Sequence, residues 1–104
     1  MLIRSQDNSM LVNFNQISQM DIMKLRKLEG FYYAISTGHG EECYVISAGT
    51  CRIGEYSTIE KARKVLDMVE THYALFSKAC LLPGCLEIKP VFQMPAEEEV
   101  MDDE

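Results

Sequence analysis

The sequence contains no tryptophan and no long apolar run. A membrane-spanning helix needs roughly 18 to 20 consecutive apolar residues, and no stretch of this chain approaches that length. The first residues also lack a basic region followed by an apolar one, which is the pattern of a secretion signal. We therefore expect no membrane association and a cytoplasmic location.

The sequence also holds little that could perform catalysis. Serine-nucleophile motifs, paired Cys and His motifs and phosphate-binding loops are missing, and the six glycines are scattered rather than spaced as a dinucleotide fingerprint. The two histidines fit simpler roles, because His39 lies between two glycines in a turn and His72 borders an apolar helix stripe. These absences predict a binding protein rather than an enzyme, with no cofactor.

Cysteine is limited to four residues, which are too widely spaced for a typical zinc site. The gaps are seven and four intervening residues, whereas zinc sites favour short paired spacings, so we predict no metal site. Because no secretion signal is present, reduced and mostly buried thiols are expected instead of two disulfides. The four residues are Cys43, Cys51, Cys80 and Cys85.

Positive charge is in deficit, but only because of the last residues of the sequence. The formal net charge is -6, and six acids lie within residues 97–104, so ten acids remain against ten bases. The pattern predicts a single domain over residues 1–95 and an acidic tail over residues 96–104, which is either solvated or a mimic of nucleic-acid phosphate. A near-neutral domain without a basic run argues against direct binding of nucleic-acid polymers.

The first half of the sequence has the pattern of β-strands. Two short apolar segments flank a turn of Asp, Asn and Ser, which predicts a hairpin over residues 2–14. Residues 20–27 alternate as a strand does, although a short helix through Ile22, Leu25 and Leu28 fits as well. Further strands are predicted over residues 31–35, 43–48 and 51–53, and an edge strand over residues 91–94.

One long helix is predicted over residues 58–77. Ser57 and Glu60 have the spacing of a capping box, which places the first helical residue at Thr58. Apolar residues then recur at steps of three and four and form one stripe that a sheet or a second subunit must cover. The stripe consists of Ile59, Ala62, Leu66, Val69, Tyr73 and Phe76. The expected fold is therefore α+β, an N-terminal antiparallel sheet followed by a long C-terminal helix, in an oligomer.

Three arginines and three aromatic residues are candidates for contacts with an anionic ligand. Each arginine borders an apolar element, where a guanidinium could bind phosphate or simply form a salt bridge. The aromatic rings could stack on a base or pack in the core. The candidate ligand-binding residues are Arg4, Tyr33, Arg52, Tyr56, Arg63 and Phe92.

Several segments resemble a family of short proteins from phages and prophages of Firmicutes. They appear in the family order over nearly the whole chain, with departures between residues 25 and 51 and between residues 78 and 88. The matching segments are LIRSQD at 2–7, LVNF at 11–14, IGEYST at 53–58, EKA at 60–62, KVLD at 64–67 and VFQMP at 91–95.

This family is similar to the first type of Thoeris anti-defence protein, and the resemblance carries a functional expectation. It implies a sponge that sequesters glycocyclic ADP-ribose, the signal of bacterial TIR-domain enzymes, inside the infected bacterial host cell. Cyclic oligonucleotides are a second class of ligand that it implies. The resemblance also implies a homodimer that can assemble into a hexamer.

Two other functions compete with the sponge. The chain could inhibit a host defence enzyme through protein–protein binding, with the acidic tail as a nucleic-acid mimic. It could also be a virion or assembly accessory, which would form oligomers without any ligand.

Overall fold

A computed structural model describes residues 1–81 and 91–100, with side-chain surroundings up to residue 78 in the first range. Within these residues the chain is a small α+β fold of two sheets and one helix. The strands and the helix are β1 (Leu2–Arg4), β2 (Leu11–Asn13), β3 (Met20–Leu28), β4 (Phe31–Tyr33), β5 (Glu41–Ala48), β6 (Cys51–Tyr56), α1 (Ile59–Leu81) and β7 (Val91–Gln93).

The first sheet joins the two ends of the described chain in the order β2-β1-β7. The predicted hairpin is present, since β1 and β2 are antiparallel and Ile3 lies opposite Val12. The predicted edge strand is also present as β7, which is parallel to β1 with Ile3 opposite Phe92. Because β7 follows α1 and returns to the first strand, the helix is not the last element, and the fold has two sheets rather than one.

The second sheet is antiparallel throughout, in the order β4-β3-β5-β6. Residues 20–28 form a strand, so the helical alternative for this segment is wrong. Glu29 and Gly30 have φ values of 52° and 83°, and two residues with positive φ allow the tight turn that joins β3 to β4. β4 ends at Tyr33, earlier than predicted, because Ile35–Thr37 forms a 3-10 turn.

The helix begins one residue later than the capping-box spacing predicts. Thr58 is the cap, because its Oγ1 accepts a hydrogen bond from the Lys61 N–H at 3.2 Å. Ser57 instead directs its N–H and its hydroxyl to the Glu97 carboxylate. The helix then continues to Leu81, beyond the predicted end at Ser77.

One core fills the space between the helix and the two sheets. Ile3 and Ile46 are fully buried, and the helix contributes Ala62 and Val69 from its apolar stripe together with Val65 beside it. Leu66 and Phe76 from the same stripe are only partly buried against this core. The stripe is therefore covered along its first half by the sheets of the same chain.

The beginning of the acidic run packs against the domain, which differs from the solvated tail that the charge pattern predicts. Val100 is 3% exposed and belongs to the core. Glu97 accepts bonds from Ser57 and pairs with Lys61 at the start of α1. Burial alone would raise the pKa of Glu97, but hydrogen bonds from Lys61 and Ser57 outweigh it and lower that pKa. Residues 101–104 lie outside the described part.

Two of the four cysteines are described, and both are free thiols. Cys43 is buried and Cys51 is half-buried. The prediction for Cys80 and Cys85 falls outside the described side chains. No helix in the described residues is both long and apolar enough to cross a membrane.

Candidate functional site

A polar cleft of about 190 Å³ opens between the β1–β2 turn and strands β3, β4 and β6. The turn and the three strands contribute side chains of both charges. The cleft is lined by Gln6, Asp7, Lys27, Tyr32, Arg52, Ile53, Gly54 and Glu55.

Gln6 fastens the β1–β2 turn to the rest of the cleft. Its amide nitrogen donates to the carbonyls of Glu55 at 3.0 Å and Pro95 at 3.2 Å. Its amide oxygen accepts from the Glu55 N–H at 2.8 Å. The backbone N–H of Gln6 also donates to the Ile53 carbonyl at 2.8 Å. One side chain therefore holds three segments of the chain in a fixed relation.

Asp7 places a stable negative charge at one side of the cleft. Its carboxylate accepts hydrogen bonds from the hydroxyls of Ser9 at 2.6 Å and Ser5 at 2.7 Å and from the Ser9 N–H at 3.0 Å. These bonds lower the pKa of Asp7 to about 2, because they favour its charged form. Asp7 is therefore ionised at any physiological pH.

Glu55 forms the centre of the opposite side. It accepts from Lys27 Nζ at 3.1 Å and from the Tyr32 hydroxyl at 2.5 Å. Burial and this bond to a carboxylate raise the pKa of Tyr32, so its hydroxyl stays a donor. Burial and the charge of Glu55 likewise raise the pKa of the neighbouring Cys43, which is therefore held as a neutral thiol.

Arg52 is the cation of the cleft whose charge is not already balanced by a partner. Its guanidinium carbon lies 4.9 Å from the centroid of the Tyr32 ring, in a cation–π contact. Lys27 is paired with Glu55, whereas no carboxylate in residues 1–81 or 91–100 forms an ion pair with Arg52. The guanidinium is exposed and oriented by an aromatic face, which leaves its N–H groups for a ligand.

The structure disperses the other predicted site residues. Arg4 lies on β1, Arg63 is exposed on α1, and Tyr33 lies at the end of β4 with 37% of its surface exposed. Tyr56 is 1% exposed and its hydroxyl donates to the Pro95 carbonyl at 2.7 Å. Phe92 is buried with its ring centroid 5.3 Å from that of His72. Burial leaves Tyr56 and Phe92 no free face on which a base could stack.

Of the six predicted residues, Arg52 alone lines the cleft. The remaining lining residues could not be recognised from the sequence, because Gln6 and Asp7 have the composition of an ordinary turn. Lys27 and Tyr32 become neighbours only through the register of β3 with β4, where they are directly opposite. That register depends on the Glu29-Gly30 turn, and this turn was the sequence feature from which the pairing of β3 with β4 could have been predicted.

A second, larger cavity lies on another part of the surface. This apolar groove has a volume of about 430 Å³ and runs between α1 and the connection from β2 to β3. Phe14 and Tyr73 form one end, with ring centroids 4.8 Å apart. The groove is lined by Phe14, Ile17, Ser18, Gln19, Met20, Leu66, Val69, Glu70 and Tyr73.

The comparisons with known proteins add no relative. No family model, no curated protein and no solved structure matches the chain. Among the described residues, no group of three His, Cys, Asp or Glu side chains is arranged as a metal site. The candidate site is therefore defined by its own geometry, as a cleft suited to binding through hydrogen bonds and charge.

Proposed function

We propose that this protein is a phage-encoded anti-defence sponge, which binds a nucleotide-derived immune signal and sequesters it without cleaving it. The ligand class is glycocyclic ADP-ribose, with cyclic oligonucleotides as the related alternative. The observation that carries the proposal is the unpaired Arg52 guanidinium, held over Tyr32 at the mouth of the polar cleft. The resemblance of the sequence to the phage family supports the same proposal.

The charges of the cleft suit a ligand of mixed character. A guanidinium binds phosphate oxygens through two parallel hydrogen bonds. The carboxylates of Asp7 and Glu55 would repel a bare anion, but they accept hydrogen bonds from ribose hydroxyls and amino groups. A cyclic nucleotide carries phosphates and such donors together, so it complements Arg52 and its acidic neighbours better than a simple anion does.

The size of the cleft bears on assembly. Pockets for whole small molecules measure roughly 300 to 1,000 Å³, and the cleft of one subunit is about 190 Å³. We therefore propose that a second subunit supplies the missing wall, in a homodimer that can assemble into a hexamer. The ligand would then be enclosed between subunits.

Calorimetry with glycocyclic ADP-ribose isomers and cyclic oligonucleotides tests the proposal. Arg52→Ala should weaken binding by about one to two decades, because it removes a charge-assisted contact. Arg52→Lys should recover part of the loss, since it keeps the charge without the planar fork. Lys78→Ala, which removes a charge from an exposed helix position, should bind as the unchanged protein does.

Sequestration also requires that the ligand survive. Protein that is mixed with the ligand, filtered and then heated should release the molecule intact, as judged by chromatography. Release of a hydrolysed product would make the protein an enzyme. If the unchanged protein binds none of these ligands, the sponge is excluded.

A second candidate function is inhibition of a host defence enzyme through protein–protein binding. It is favoured by an exposed apolar cluster on one face of the β3–β4 hairpin, where Leu28 is 43% and Phe31 68% exposed. These two residues are directly opposite each other at the turn. Phe31→Ser should abolish capture of a purified host enzyme and leave calorimetric ligand binding unchanged, whereas Arg52→Ala should do the reverse.

A further inference from the structure

The apolar groove is a separate site from the polar cleft. Met20 lines the groove and Lys27 lines the cleft, and both belong to β3. They are seven positions apart along the strand, which is about 23 Å, and their side chains point to opposite faces of the sheet. A small molecule in the groove of one subunit therefore cannot reach Arg52 of the same subunit.

The walls of the groove favour an aromatic occupant. Phe14 and Tyr73 stand close together with their planes inclined by 44°, and Met20 adds a polarisable thioether. Leu66 and Val69 complete the apolar surface along the helix. The volume of about 430 Å³ lies within the range of pockets that accept whole small molecules.

The charged residue that lines the groove, Glu70, is acidic. Glu70 contributes a carboxylate that has no hydrogen bond or ion pair within residues 1–81 and 91–100, and no lysine or arginine lines the groove. Glu70 is exposed, so its carboxylate is a ready acceptor for a cation at the rim. Aromatic faces attract the same cation through their electron-rich surfaces.

We infer that the groove binds a flat aromatic ring that carries a positively charged amine, with the ring against Phe14, Met20 and Tyr73 and the amine against Glu70. This site stands on residues that the proposed sponge does not use. Its test can therefore succeed or fail without deciding the function of the cleft.

Tryptamine and indole-3-acetate are suitable probes, because they share a ring and carry opposite charges. Binding is followed through the methyl resonance of Met20 in protein labelled at the methionine methyl groups. Tryptamine should shift this resonance and bind about tenfold more tightly than indole-3-acetate, since only the amine is attracted by Glu70.

Two helix variants separate the carboxylate of the groove from the general acidity of the surface. Glu70→Gln should remove the preference for tryptamine, whereas Asp67→Asn, an equivalent charge loss at an exposed position that does not line the groove, should keep it. Arg52→Ala should have no effect on either probe.

Three results would overturn the inference. The first is an unshifted Met20 resonance with tryptamine up to its solubility limit. The second is equal affinity for the two probes in the unchanged protein. The third is a Met20 resonance that responds only to protein concentration, together with a dimer in sedimentation, because a second copy of the chain would then occupy the groove.

Discussion

The short strand β1 and the long strand β3 differ in burial, and the short strand is the more deeply buried of the two. β1 has three residues, and its central Ile3 is completely buried. β3 has nine residues, and none of them is buried. Both strands are central in their sheets. Burial here depends on what covers a strand and not on its length, because Ile3 packs in the core to which the helix contributes, whereas no residue of β3 is fully covered.

The same difference in burial distinguishes the parts of the molecule that stabilise the fold from those that present surfaces for binding. Along β3 the exposed Lys24 and the half-buried Arg26 both pair across the sheet with Glu42. Surface pairs of this kind contribute only about 0 to 1 kcal/mol each. The polar cleft, the rim of the apolar groove and the exposed hairpin face all include β3 residues. We infer that the first sheet, the helix and the buried residues of β5 and β6 stabilise the fold, while β3 presents its binding surfaces.

A matched pair of isoleucines gives the largest effect that this comparison predicts. Ile3→Ala should lower the free energy of unfolding by about 4 kcal/mol, because it opens a cavity in a fully buried site. Ile22→Ala on β3 should cost less than half of that, since Ile22 is only partly buried. Denaturant titrations of both variants measure the difference. Equal losses would show that Ile22 contributes as much to the core as Ile3 does, and would remove the contrast between the two strands.

Two glycines in the connections of the second sheet sharpen the comparison. Gly40 has a φ of 79°, and an added Cβ would lie 2.4 Å from the Lys27 carbonyl oxygen. Gly30 has a φ of 83° but no atom within 4 Å of an added Cβ. Gly40→Ala should therefore cost about 3 kcal/mol, through strain and a backbone clash, against about 1 kcal/mol for Gly30→Ala.

Thermal melts would rank these two variants. A larger loss of stability for Gly40→Ala would establish that the second sheet is constrained by its backbone even where its side chains are exposed. Similar melting temperatures would instead show that the β4–β5 connection adjusts to remove the clash.

Local patterns predicted much of this fold. The 2–14 hairpin follows from a turn between two apolar segments, and the helix follows from a stripe that continues over several turns. Both signals lie within a few residues of the structure they specify. The pairing of β7 with β1 could not be predicted in this way, because it joins segments almost ninety positions apart and depends on the packing of all that lies between.

The site was less predictable than the fold for a related reason. Arg52 was identified from its position beside an apolar strand, but its role depends on Tyr32, a neighbour that only sheet assembly supplies. Tyr56 and Phe92 have the same local appearance as surface aromatics, and their burial follows from contacts with the C-terminal segment and the helix. The capping-box spacing predicted Ser57 as the helix cap, whereas Thr58 caps the helix because the Ser57 hydroxyl donates to the distant Glu97.

The smallest predicted effect concerns Glu97, which joins the C-terminal segment to the start of α1 through Ser57 and Lys61. Its pKa in the folded protein is below the ordinary value of 4.5, so its charged form stabilises the fold. This contribution is present above that value and is lost as the pH falls through the lowered folded pKa. Glu97→Gln should therefore cost about 1 kcal/mol at neutral pH and progressively less in acid. Urea titrations at pH 7 and pH 3 measure this convergence, with Glu98→Gln, an exposed neighbour, as the control. A constant difference between the two pH values would show that Glu97 acts through its shape and not its charge.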